Sequence, residues 1–118
     1  YLSHEGIRQI SRDHSYVQEL VDMGAIKPEE AEHHPKKNII TRALGVDSSV
    51  EADYFECPLH KGDGILLCSD GLSNMVTDKE IHDCFTENTA PEDVCGRLMA
   101  LALERGARDN VTIVLVKT

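Results

Sequence analysis

Two short apolar runs constrain this chain more than anything else in it. The first, ILLCS at residues 65–69, is continuous rather than alternating. It lies between the tight-turn signal Lys61-Gly62-Asp63-Gly64 and the pair Asp70-Gly71. Such a run suits a strand buried on both faces. The second, VTIVLVK at 111–117, is rich in β-branched residues and suits a central strand. Two helix signatures separate them. Thr77-Asp78-Lys79-Glu80 is a capping box, in which the hydroxyl and the carboxylate each satisfy a backbone donor, and it predicts a helix from 78 to about 85. Thr89-Ala90-Pro91-Glu92 opens another that runs to about 105. Val94, Leu98, Leu101 and Ala102 form its apolar stripe, and Gly106 closes it.

The preceding residues are more polar and more broken. Residues 1–11 suggest a hairpin: Tyr1 and Leu2 end one strand, His4-Glu5-Gly6 turns, and Ile7 and Ile10 lie in the next. Ser15 can cap a helix over YVQELVDM, with Val17, Leu20 and Val21 on one face and Gly24 as its left-handed end. Lys27-Pro28-Glu29-Glu30 starts a second short helix, which His34-Pro35 stops. From 13 to about 45 the pattern is that of a lid or small inserted subdomain. ADYFECPL, at 52–59, has strand character, with Pro58 near its end.

A length of 118 residues predicts one domain. The hydrophobic and charged fractions, 41% and 28%, are those of a folded chain and argue against disorder. A net charge of -9 repels phosphate backbones and anionic membranes, so neither a nucleic acid nor a membrane is expected as a partner. No apolar run approaches the ~20 residues of a membrane span. No charged-then-apolar leader opens the chain, and Tyr1 in place of Met points to a cut or partial polypeptide. Cys57, Cys68, Cys84 and Cys95 form no CxxC pair and sit in apolar surroundings. The expectation is therefore buried reduced thiols and a cytoplasmic location.

Chemistry could gather where the two strands meet loops. Asp70 follows ILLCS, and Asp109 precedes VTIVLVK. If those strands neighbour each other, the two carboxylates can converge at one edge. Close carboxylates repel unless a cation or proton lies between them, and hard Mg2+ or Mn2+ prefers such oxygen ligands. Gly71 allows a tight backbone path, and Asn110 can hydrogen-bond to position its loop. A plain Asp-Gly turn and ordinary loop chemistry account for the same residues, and on spacing alone the turn is the stronger reading.

ILLCSDGLSNMV, RDNVTIVLV, ISRDHSYVQELVDMG and HHPKKNIITRALG together resemble the PP2C-like metal-dependent serine/threonine protein phosphatases, in the branch of bacterial enzymes that oppose eukaryotic-like serine/threonine kinases. The four motifs occur in the family's order and cover nearly the whole chain. The resemblance implies an α+β fold, part of an α-β-β-α four-layer sandwich of which residues 1–118 form the C-terminal half. Residues 14–45 would be the flap. Asp70 and Asp109 would be catalytic metal ligands for Mn2+ or Mg2+, two or three ions in a full domain, with Gly71 and Asn110 in support. Arg42 and the stretch 39–45 would anchor the flap. The substrates would be phosphoserine and phosphothreonine proteins, including such a kinase and its targets. The family's N-terminal half supplies a phosphate-binding arginine and further metal ligands, so this chain alone is expected to be inactive or very weak. Its sheet would lack a facing partner, which favours self-association. The alternative is a non-catalytic module that binds phosphoproteins through the flap surface.

Other residues have plainer readings. His33-His34 suits a solvated helix end, and His14 a structural hydrogen bond. Lys36-Lys37 could steer phosphoproteins or be an ordinary charged pair. Cys68 is expected in the core. Ser69 has no base to activate it as a nucleophile.

Overall fold

The computed structural model describes residues 1–118, which form two compact units, one of residues 10–56 and one of residues 1–9 with 57–118.

In the 10–56 unit, helix α1 (Tyr16–Asp22) begins where Ser15 Oγ accepts the Gln18 N–H, as an N-cap serine should. Its end passes into Gly24 at φ +72°, a conformation glycine adopts without penalty. Helix α2 (Pro28–Ala31) places proline in the first turn, and the Glu30 carboxylate accepts the Lys27 N–H at 2.6 Å. Only Val17 is buried in these two helices. Polar contacts hold much of the rest. Arg12 pairs with Asp22, and Ser15 bridges to Ile40 through the backbone. His34 meets the Tyr16 ring edge-on, while Lys36 Nζ lies 5.5 Å from that ring's centre. Lys36, itself exposed, thus makes a cation–π contact within this unit.

The other unit carries the apolar core. Strand β1 (Gly64–Cys68) pairs antiparallel with β2 (Ile113–Lys117), from Gly64 opposite Lys117 to Cys68 opposite Ile113. Between them in the chain come α3 (Asp70–Ser73), α4 (Asp78–Glu87) and α5 (Pro91–Glu104). Leu2, Leu72, Val94 and Leu98 are fully buried, with Val76, Ile81, Phe85 and Ala102 around them. Each of these side chains larger than alanine contributes about 1.5–3 kcal/mol of burial. Leu66, Ile113 and Leu115 press on this cluster from one face of the sheet. Leu2 exchanges two backbone hydrogen bonds with Gly64, both 2.8 Å, and so extends the sheet by one bridge. Gly106, at φ +95°, closes α5 as expected.

Four expectations need correction. ILLCS is buried on one face only: Leu67 is exposed because no layer covers the face opposite the helices, while Cys68, on the same side as Leu66, is exposed at the end of the strand. VTIVLVK is one of just two strands, so it is not central. Residues 52–59 form no strand, since a strand needs a ladder partner and none pairs with them; Tyr54 and Phe55 stand exposed. The cysteines are all free thiols, but only Cys84 is buried, while Cys57 and Cys95 are half-buried.

Candidate active site

The acid and glycine after β1 turn out to start a helix. Ser69 is extended (φ −77°, ψ 163°), and α3 begins at Asp70, whose carbonyl accepts the Asn74 N–H at 2.8 Å. The short helix exists because Gly71 and Leu72 go into the core while Asp70 stays outside. A carboxylate in a first helical turn also faces the positive end of the backbone dipoles.

Asp109 lies outside too, four residues ahead of β2. Its Oδ1 accepts the Asn110 N–H at 2.7 Å, which fixes the side chain against its own loop.

Strand pairing brings the two loops to the same end of the sheet, since Cys68 and Ile113 form its last pair. Beyond that pair the loops remain joined. Ser69 N–H donates to the Thr112 carbonyl at 3.0 Å. Ser69 Oγ donates to the Asn110 carbonyl and accepts the Thr112 N–H, each at 2.9 Å. A side chain on Gly71 would lie 2.3 Å from the Asn110 carbonyl oxygen and 3.3 Å from Val111 Cγ2, so only glycine fits. Asp70 and Asp109 thus stand on two loops in direct contact.

Two exposed carboxylates suit a hard divalent cation in chemical type. They do not suit it in number: nowhere in the chain do three or more His, Cys, Asp or Glu side chains gather to hold a metal. The chain offers part of a donor set.

Arg42 is in the 10–56 unit and spends its guanidinium there. Nη1 donates to the Glu51 carbonyl at 2.9 Å and to Asp53 Oδ1 at 3.0 Å. His14 Nε2 meets the other Asp53 oxygen at 2.7 Å, which is the structural hydrogen bond its position suggested. His14 first, then Arg42, holds the Asp53 carboxyl below its ordinary range. Cys68 is not a core residue, yet desolvation, and then the charge of Asp78, raises its thiol pKa, which argues against a reactive thiolate. Ser69 has both hydrogen-bonding roles of its hydroxyl occupied by the neighbouring loop, in keeping with its rejection as a nucleophile. Its bridging role escaped the sequence reading, because the partners lie 41 and 43 residues away. The one available signal was a hydroxyl residue directly ahead of the acid.

Residues 24–118 match the family model described as Stage II sporulation protein E, SpoIIE. The chain is 41% identical over 116 residues to the serine/threonine phosphatase Stp of Listeria welshimeri, a match covering 98% of this chain and 46% of that protein. The crystal structure of the serine/threonine phosphatase Stp1 from Staphylococcus aureus superposes with a TM-score of 0.87 at 39% identity, over 99% of this chain and 46% of that one. The catalytic domain of the serine/threonine phosphatase PstP, solved in complex with two manganese ions, superposes with a TM-score of 0.74 at 39% identity, over 91% and 43% of the two chains. The chain spans about half the length of the curated relatives it matches.

Proposed function

This chain belongs to the PP2C-type serine/threonine protein phosphatase family, and we propose from that premise that it forms part of a metal-dependent enzyme hydrolysing phosphoserine and phosphothreonine in proteins. The observation that carries the reading is the stapled pair of loops, which holds Asp70 and Asp109 on touching segments at one end of the sheet. In this reading both carboxylates are metal ligands, Gly71 leaves room for the loops to touch, and Asn110 fixes Asp109. When bound, Mn2+ or Mg2+ ions would polarise the phosphoester and lower the pKa of an attacking water. The residues of this chain orient and hold; none is placed to form a covalent intermediate. The two manganese ions of the PstP structure support the choice of metal class.

Residues 14–45, within the compact 10–56 unit, would act as the flap, with Arg42 bracing it through Asp53 and Glu51. The partners would be phosphorylated proteins, including a eukaryotic-like serine/threonine kinase, and the place of action the cytoplasm.

The 118 residues by themselves would be inactive or very weak. Two carboxylates leave most of an octahedral coordination shell to water, which Mg2+ gives up reluctantly. The test is Mn2+-dependent hydrolysis of p-nitrophenyl phosphate. The chain alone should give no rate above its Asp70→Asn variant. Adding the part of Listeria welshimeri Stp that this chain does not match should restore a rate, and either Asp70→Asn or Asp109→Asn should abolish it. Restored activity that survives both substitutions would sink the proposal.

A further inference from the structure

We propose that Ser69 is a positioning residue: its hydroxyl clamps the Asp109 loop against the Asp70 helix and so sets the spacing of the two carboxylates. The inference rests on the reading of Asp70 and Asp109 as ligands of one metal site.

Ser69 occupies the N-cap position of α3. A serine there ordinarily turns its oxygen back to accept an amide hydrogen from the first helical turn. Ser69 makes no such bond. The hydroxyl reaches across to the other loop, where it donates to the Asn110 carbonyl and accepts the Thr112 N–H. The serine backbone N–H adds a third link, to the Thr112 carbonyl. A local cap has been given up for a long-range clamp.

The clamp sits where it can control the acids. Asp70 lies between Ser69, which is bonded to residues 110 and 112, and Gly71, which is packed against the Asn110 carbonyl. Asp109 is bonded to the amide of the same Asn110 whose carbonyl Ser69 holds. The sheet ladder ends at Cys68 and Ile113, and beyond it the one backbone bond from Ser69 N–H to the Thr112 carbonyl is supplemented by the two bonds of the hydroxyl. The task needs a group that donates and accepts at once. Alanine does neither, whereas threonine retains both functions and tolerates the extended backbone found here.

Two measurements test this. The first is amide hydrogen exchange at Thr112 in the 118-residue chain without metal. Ser69→Ala should speed it at least about 10-fold while the amides of Val94 and Leu98 keep their protection; Ser69→Thr should restore it. The second is Mn2+-induced broadening of the Gly71 and Asn110 amide signals once the part of Listeria welshimeri Stp that this chain does not match has been added to complete the donor set. Both should broaden together in the wild type and require about 10–100-fold more Mn2+ in Ser69→Ala, the range for supporting residues of metal sites. Ser69→Thr should again restore the wild-type midpoint. Wild-type signals that broaden while Ser69→Ala shifts neither readout would overturn the role of Ser69 alone. Wild-type signals that do not broaden at millimolar Mn2+ in that completed assembly would overturn the metal reading, and this inference with it.

Discussion

The carbonyl oxygen of Asn110 fills the space that a side chain on Gly71 would need: a Cβ there would lie 2.3 Å from that oxygen. The obstacle is backbone, which cannot rotate away as a side-chain tip can. Gly71→Ala must therefore push apart the loops that carry Asp70 and Asp109. Overpacking of this kind costs about 1–3 kcal/mol. Urea unfolding should give that loss, and the Thr112 amide should exchange faster. A variant as stable as the wild type would show that the loops are not held in contact.

Gly96 should behave in the opposite way. It lies inside α5, its φ is not positive, and a Cβ there meets nothing within 4 Å. Alanine removes unfolded-state freedom and favours the helix, so Gly96→Ala should stabilise the chain by about 0.5–1 kcal/mol. The two substitutions change the same atoms with opposite sign, and thermal melts of the pair would separate local space from helix propensity. Destabilisation by Gly96→Ala would mean that this face of α5 is covered in solution.

Acid should weaken the join between α4 and the end of α5. Arg105 Nη1 and Nη2 contact the two Glu80 oxygens at 2.8 and 2.5 Å, and Nη1 also donates to the Met75 carbonyl. That guanidinium, followed by the Thr77 hydrogen bonds, holds the Glu80 carboxyl well below its ordinary value of 4.5. A carboxylate depressed in the folded state contributes its stability above the unfolded pKa and loses it as pH falls through the folded one. The Tm gap between wild type and Glu80→Gln should therefore be widest near neutral pH and should narrow as pH falls below about 4.5. A gap that stays constant from pH 7 to pH 3 would rule this contribution out.

What the sequence revealed divides by distance along the chain. The Ser15 cap, the Thr77–Glu80 box and the glycine ends at Gly24 and Gly106 depend on neighbours within a turn, and all four are present. The two acids were found from their motifs, and the structure puts their loops in contact. The Arg105–Glu80 pair spans 25 residues, the His14–Asp53 bond 39, and the Ser69 bridge 41. Each joins groups whose meeting depends on how whole elements pack, so no periodicity announces it. Residues 52–59 have strand composition but no strand, because composition cannot supply the second backbone that a ladder requires.

The bare face of the sheet should make the chain associate with itself. Leu67 pairs with Val114 and Ile65 with Val116, on the side away from the helices. Leu67, Val114 and Val116 are each more than half exposed. β2 also bonds to a neighbouring strand along one edge only, which leaves a second edge free to pair. Apolar area and a free edge on the same small sheet favour a partner that covers both. Sedimentation velocity should show mass rising with concentration between about 10 and 500 µM, the range in which weak association of such surfaces appears. Placing opposite charges at the directly opposed pair, Leu67→Lys with Val114→Glu, keeps a favourable cross-strand contact while making the face costly to dehydrate. That double variant should sediment as a monomer throughout. If the wild type does so as well, the exposed face is not an association surface; if both associate equally, the contact lies elsewhere, and the exposed residues 39–55 are the next to charge.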